Sequence, residues 1–259
     1  MSWLEEKDDY GAEISKILYQ EGMIQTWIKD RAEGWTLRNG LWSPYYIQCR
    51  PITSKKISQK LLKLIGNALG TLLKEDTEGI TKVIGVPLTG IPIATSITMC
   101  VGIPSCNARV IPKVKTVEDF HKAVTEGKFE KEEYGDHSLI EGDINNGDKF
   151  VIVDDIVTDF GTKVVILEQI KYVAKMKDIK IYCNDVMVLV DREQGSREAA
   201  NKLGINLYSL IPFKTKGIHW LKDVLDSEEY SIIVDYLNNP NKYQNTKLKE
   251  KVIALANKK

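Results

Sequence analysis

The sequence predicts an α/β protein: a parallel sheet with helices on both faces, a small N-terminal hood before it and a helical tail after it. Two observations carry this prediction. From residue 82 onward the chain alternates strand-length apolar runs with segments of helical period, the order of repeated β–α units. Those apolar runs are continuous rather than alternating, as in strands buried on both faces.

In order, residues 10–27 carry Ile14, Ile17, Leu18, Met23 and Ile24 at helical spacing and predict one or two helices. Residues 34–50, GWTLRNGLWSPYYIQCR, are punctuated by Gly34, Gly40 and Ser43-Pro44, which predicts short extended runs joined by turns. Residues 54–74 form an amphipathic pattern with Thr53 or Ser54 as the cap. Strands are expected over 82–86, 105–111, 150–153, 179–190 and 206–211, with helices over 90–101, 162–173 and 196–203. Gly204 stops the last of these helices, and residues 217–259 read as two helices around an Asn-Asn-Pro-Asn turn at 238–241. The expected division is a hood over 1–50, a core over 51–215 and a tail over 216–259. Residues 112–148 break the rhythm: they are charged and poorly periodic, and predict a long mobile lid loop.

Composition excludes several classes. Thirty-six basic and 36 acidic residues give zero formal net charge, so there is no electrostatic reason to expect nucleic acid or an anionic membrane as partner. Cys49, Cys100, Cys106 and Cys183 contain no CxxC pair, and His121, His137 and His219 are scattered, which argues against structural zinc. Reduced thiols are the expectation. The N-terminus has no basic region followed by an apolar run, and the apolar stretches are far shorter than the roughly 18 residues that span a bilayer. A soluble cytoplasmic protein is expected.

The chemistry concentrates in FVIVDDIVTDFGTK, residues 150–163. A strand ends in Asp154-Asp155, and after two apolar residues Thr158-Asp159-Phe160-Gly161-Thr162 leads into a helix. Ligands of open parallel sheets bind beyond the carboxyl ends of the strands. A helix N-terminus offers free backbone N–H groups and a favourable dipole to a phosphate. Gly161 would permit close backbone approach, Thr158 and Thr162 add hydroxyls, and the two acids suit ribose hydroxyls or the vicinity of Mg2+. The plainer reading is a strand ending in solvated acids, with Asp159 or Thr162 capping the next helix.

The whole string resembles the phosphoribosyl pyrophosphate (PRPP) signature of type I phosphoribosyltransferases: four apolar residues, two acids, two apolar residues and a Thr/Gly-rich loop. The resemblance implies that Asp154 and Asp155 face the ribose hydroxyls and that residues 158–162 hold the 5-phosphate. Asp159 and Phe160 depart from the pattern, standing where a small hydroxyl residue and a glycine are usual. A carboxylate beside phosphate is repulsive, and a Phe resists glycine-only conformations.

Other segments are similar to orotate phosphoribosyltransferases. In residues 35–50, Arg38, Gly40, Ser43-Pro44 and Tyr45-Tyr46 match the N-terminal element, which implies that Arg38 reaches the pyrophosphate end and that both tyrosines line an orotate pocket. An aromatic core strand is the plainer reading. GVPLTGIPIATSI, with Thr89-Gly90, resembles the pyrophosphate-contacting loop, and Arg109 closes the next strand as a further PRPP residue. VLVDREQGSREAANKLGI matches a strand ending in Asp-Arg-(Gln/Glu), which implies that Arg192 holds the orotate carboxylate, with Thr158 nearby. A guanidinium fork suits a carboxylate; a surface arginine paired with Asp191 or Glu193 is the alternative.

The family's catalytic loop, Arg-Lys-x-x-Lys-x-His/Tyr-Gly, is displaced here by an insertion of roughly twenty residues in what would be a mobile lid. Lys128, Lys131 and His137, around Tyr134-Gly135, are its candidates, and Lys113 and Lys115 are rivals. A solvated charged loop accounts for any one of them equally well. The resemblance implies orotate transfer through an oxocarbenium-like transition state, Mg2+ carried on PRPP near Asp154 and Asp155 with no direct protein ligands, and a homodimer whose lid reaches the neighbouring subunit. The alternatives are a non-catalytic PRPP-binding regulator, a transferase for another base, and, least suited, a magnesium phosphohydrolase using Asp154.

Overall fold

The structure is a computed structural model, and it describes residues 2–37, 39–129, 139–158 and 160–256. The chain divides into two compact units, one of Met1–Leu61 with Ile211–Lys259 and one of Leu62–Leu210, where three consecutive segments were expected.

The first unit opens with α1 (Trp3–Gln20), whose capping box joins the Ser2 side chain to the Glu5 backbone and the Glu5 side chain to the Ser2 backbone. Of the one or two helices expected, one forms, because the chain turns after Gln20 and Ile24 opens β1 (Ile24–Thr26). Strands β2 (Trp35–Thr36), β3 (Trp42–Ser43) and β4 (Tyr45–Ile47) follow; β1 pairs antiparallel with β4, and β2 with β3.

The second unit starts within α2 (Ser58–Asp76), which begins later than the Thr53 or Ser54 cap predicts because residues 50–53 form a 3-10 turn through Pro51. Then come β5 (Lys82–Gly85), α3 (Gly90–Val101), β6 (Ser105–Ala108), α4 (Val117–Thr125), β7 (Ile140–Glu141), β8 (Lys149–Val157), α5 (Gly161–Met176), β9 (Tyr182–Asp191), α6 (Ser196–Leu203) and β10 (Asn206–Pro212). The six strands lie in the order β10-β9-β8-β5-β6-β7. Strands β9, β8, β5 and β6 are mutually parallel, and β7 runs antiparallel to β6. The apolar residues of β8 are buried on both faces, which is why its run is continuous. Gly204 ends α6 in the left-handed conformation at φ 66°, as the C-cap pattern predicts.

The lid expectation is corrected in part. Residues 117–125 are helical: Thr116 caps α4 by a reciprocal box with Asp119, and Phe120 and Ala123 are buried. Phe120 stacks on Phe129 at 5.7 Å and meets Tyr172 of α5 edge-on at 6.2 Å. His121 Nε2 lies 3.1 Å from Glu168 Oε2 on the same helix. A single apolar stripe on nine residues was too brief to stand out within the charged segment.

At the amino edge of the sheet, Lys82 and Asp148, 7% and 8% exposed, pair at 3.2 Å, and Thr81 donates to Asp148 at 2.9 Å. This polar cluster ties the starts of β5 and β8 together.

The tail comprises α7 (Ile218–Trp220), α8 (Ser227–Asn238) and α9 (Thr246–Ala256) and belongs to the first unit. Trp27 donates from its indole to the Val252 carbonyl at 2.8 Å, and the Trp42 amide donates to Gln244 at 2.8 Å. Buried Glu229 accepts from the hydroxyls of Tyr19 and Thr26. No disulfide joins cysteines among the described residues, and no described helix is long and apolar enough to cross a membrane.

Candidate active site

Because β5, β6, β8 and β9 are parallel, the segments singled out in the sequence converge on one edge. Thr89-Gly90 follows β5, Arg109 follows β6, Asp154 to Thr162 end β8 and open α5, and Arg192 follows β9. This is the carboxyl edge, where open sheets bind ligands.

Strand β8 extends through both acids to Val157, further than its apolar run suggests, because Asp154, Ile156 and Val157 pair with Val188, Val190 and Asp191 of β9. Asp154 is 6% exposed and forms an ion pair with Lys163, itself 5% exposed. Lys163 also donates to the Ile156 carbonyl at 2.8 Å. Burial, and then the adjacent Asp154 charge, push the Asp155 carboxyl up to about 7. The two acids are therefore unlike each other: one is neutralised by a lysine, and the other holds a proton far above the usual carboxylate range.

Helix α5 begins after Phe160 with no side-chain cap, while Thr158, Gly161 and Thr162 are exposed beside it. The first turn of a helix leaves backbone donors unserved by the helix itself. Phe160 requires a correction. Its ring is 3% exposed and packs in the apolar cluster with Ile166, Ile170 and Phe120, so the side chain belongs to the core and only the backbone of Phe160 is left to face a phosphate. Its φ of −94° is ordinary for any residue, so the loop takes a shape in which no glycine is demanded at this position.

Gly90 is the first residue of α3, and a Cβ there would lie 2.4 Å from the Val153 carbonyl oxygen and 3.3 Å from Asp154 Cα. Only glycine brings α3 this close to the end of β8. Thr89 is 9% exposed, and the Pro87–Leu88 peptide before it is cis. Arg109 points Nε toward Glu141 at 3.7 Å, and its carbonyl accepts from Gln169 of α5 at 3.2 Å.

Arg192 is 5% exposed, and its amide donates to the Val157 carbonyl at 3.3 Å. The turn after it is built by Asp191, whose Oδ1 accepts from Ser196 Oγ at 2.5 Å and from the Glu193 amide at 2.8 Å. Asp191 thus helps to hold this turn through one side chain and one backbone amide.

In the first unit, Tyr45 is corrected. It is fully buried, stacked on Phe213 at 5.2 Å and edge-on to Tyr236 at 5.8 Å. A ring without exposed surface cannot line a pocket, and the core-strand reading holds for it. Tyr46 is half-buried and stacks on Trp35 at 6.0 Å. Lys113 and Lys115 are exposed, and Lys128 is exposed and paired with Glu126 at 2.6 Å. Arg38, Lys131, Tyr134, Gly135, His137 and Asp159 lie outside the described residues.

Sequence reasoning missed Lys163. It stands in the first helical turn, where the dipole disfavours a cation. That misplacement is the signal that a buried anion waits beside it.

The chain matches no family model. It is 30% identical over 178 residues to the orotate phosphoribosyltransferase of Methanocaldococcus jannaschii, covering 69% of this chain and 84% of that protein. It is 33% identical over 181 residues to uridine 5'-monophosphate synthase of Bos taurus, covering 69% of this chain but only 32% of the bovine protein, so it spans about a third of that relative's length. In structure it resembles orotate phosphoribosyltransferase from Aeropyrum pernix, with TM-score 0.55 and 21% identity over 82% of this chain and 98% of that one. An acid pair and a helix N-terminus on the carboxyl edge of a type I phosphoribosyltransferase sheet, together with the extent of the archaeal match, place the chain in the orotate phosphoribosyltransferase family.

Proposed function

We propose that the protein transfers the 5-phosphoribosyl group of PRPP to orotate, giving orotidine 5'-phosphate and pyrophosphate. The observation that carries this reading is the convergence of Thr89-Gly90, Arg109, Asp154-Asp155, the N-terminus of α5 and Arg192 on one sheet edge. The amides and hydroxyls from Thr158 to Thr162 hold the 5-phosphate, and the acid pair receives the ribose hydroxyls. Thr89, Gly90 and Arg109 serve the pyrophosphate end. Arg192 reads the orotate carboxylate, with Thr158 as a further orotate residue. Rate then comes from positioning and from cations at the leaving group, since the chemistry asks for little covalent work by the protein.

Magnesium belongs to the donor in this scheme. Asp154 is engaged by Lys163, so Mg2+ would arrive on the pyrophosphate, where it would neutralise the departing charge. The cations of the 112–148 segment, Lys113, Lys128, Lys131 and His137, are the proposed lid groups, contributed across a homodimer. Cytoplasmic residence accords with this reading.

The test is turnover. Protein, PRPP, Mg2+ and orotate should yield orotidine 5'-phosphate, and uracil, adenine or hypoxanthine offered in place of orotate should yield little product. Faster turnover of another base would reassign the acceptor. PRPP binding without turnover of any base would leave a regulator.

A further inference from the structure

We propose that Lys163 is a positioning residue for the ribosyl donor: it straps the phosphate-binding loop and cancels the charge of Asp154, so that a polyanion can approach the acid pair. This inference rests on the reading of the site given above and deepens it.

Three observations lead there. Lys163 and Asp154 form an ion pair with both side chains at least nine-tenths buried. Lys163 also donates to the Ile156 carbonyl at 2.8 Å. It sits on the third residue of α5, so its two bonds run back from the helix to β8 and span the connection that would cradle the phosphate. One side chain therefore sets the distance between the strand end and the helix N-terminus whose amides bind.

The electrostatics follow from the same placement. Two adjacent carboxylates would repel a donor carrying three phosphoryl groups. Lys163, 5% exposed, answers one of them from within the fold. A lysine confined to packing would not need to be charged, whereas the position costs dipole energy that only a buried anion returns. The lysine also divides the pair. Asp154 is held in place by its ion pair, and partly exposed Asp155 is left as the acid that meets the sugar.

The experiment compares wild type with Lys163→Met, Lys163→Arg and the double variant Lys163→Met/Asp154→Asn. KM for PRPP, KM for orotate and kcat are measured separately, and folding is checked by circular dichroism and melting. Expected is a rise of about tenfold or more in KM for PRPP in Lys163→Met, with KM for orotate changed by less than about threefold. Lys163→Arg should recover most of the loss. If Lys163→Met fails to fold, the double variant, which removes both charges, is compared with Asp154→Asn alone and should show a further rise in KM for PRPP, because the strap to the Ile156 carbonyl is lost. A folded Lys163→Met or double variant with unchanged KM for PRPP overturns the proposal, and so does equal loss in the Met and Arg variants. Wild type that neither binds nor turns over PRPP overturns the transferase reading itself, a result distinct from an active wild type with an indifferent Lys163 variant.

Discussion

Gly90→Ala is the sharpest perturbation of the donor edge. The added methyl would sit 2.4 Å from the Val153 carbonyl oxygen, 3.2 Å from Val86 Cβ and 3.3 Å from Asp154 Cα. The carbonyl cannot retreat freely, because it already accepts from the Val86 amide at 2.9 Å. Relief therefore requires α3 to move by about 1 Å, and overpacking of this kind costs about 1–3 kcal/mol. For a chain of this size each kcal/mol shifts Tm by about 2–4 °C, so a fall of about 2–12 °C is expected. The same movement withdraws Thr89 from the end of β8, so PRPP affinity should fall as well. Calorimetric melting and PRPP titration of the purified variant check both effects. A Tm within 1 °C of wild type together with unchanged PRPP affinity would refute the close-approach argument.

Asp155 predicts a pH signature. Its folded pKa is about 7 against an ordinary carboxylate value of 3.8, so between those values the folded state holds the extra proton. Stability from this group is complete at low pH and is lost as pH rises toward 7, by up to a few kcal/mol. Asp155→Asn should remove that decline, and a wild-type-minus-variant stability difference that is flat from pH 4 to 7 would contradict it. Phe160→Ala should destabilise the second unit by about 3–5 kcal/mol, read as a fall in urea midpoint; a surface-like loss below about 0.5 kcal/mol would remove Phe160 from the core. Arg192→Ala should weaken orotate far more than PRPP in steady-state kinetics, and small, equal effects on both would count against its assignment.

The second unit was legible because its signals are local. Helices 90–101 and 196–203 start and stop where Gly90 and Gly204 place them, and the apolar strands need only burial to form. The convergence of four motifs followed from parallel topology, which periodicity already implied. What escaped the sequence depended on distant residues. Tyr45 resembled a pocket aromatic, but its fate was set by Phe213 and Tyr236, which no spacing rule connects to it. The tail was expected as a separate segment for the same reason: Trp27 finds Val252, and Glu229 finds Thr26, only in three dimensions. Phe160 looked like a defect in a glycine loop until the backbone showed an ordinary φ and a core position for the ring. Lys163 was hidden because a lysine on a helix ordinarily reads as a solvated surface group.

The account turns on whether the segment opening α5 grips a sugar-linked phosphate. Titration of Mg2+-loaded PRPP into the protein, followed by calorimetry, addresses this directly. A saturable heat at one site per chain is expected, weakened when Thr162→Ala removes a hydroxyl from the first turn. Absence of heat with the donor, from a protein shown to be folded, would contradict the account.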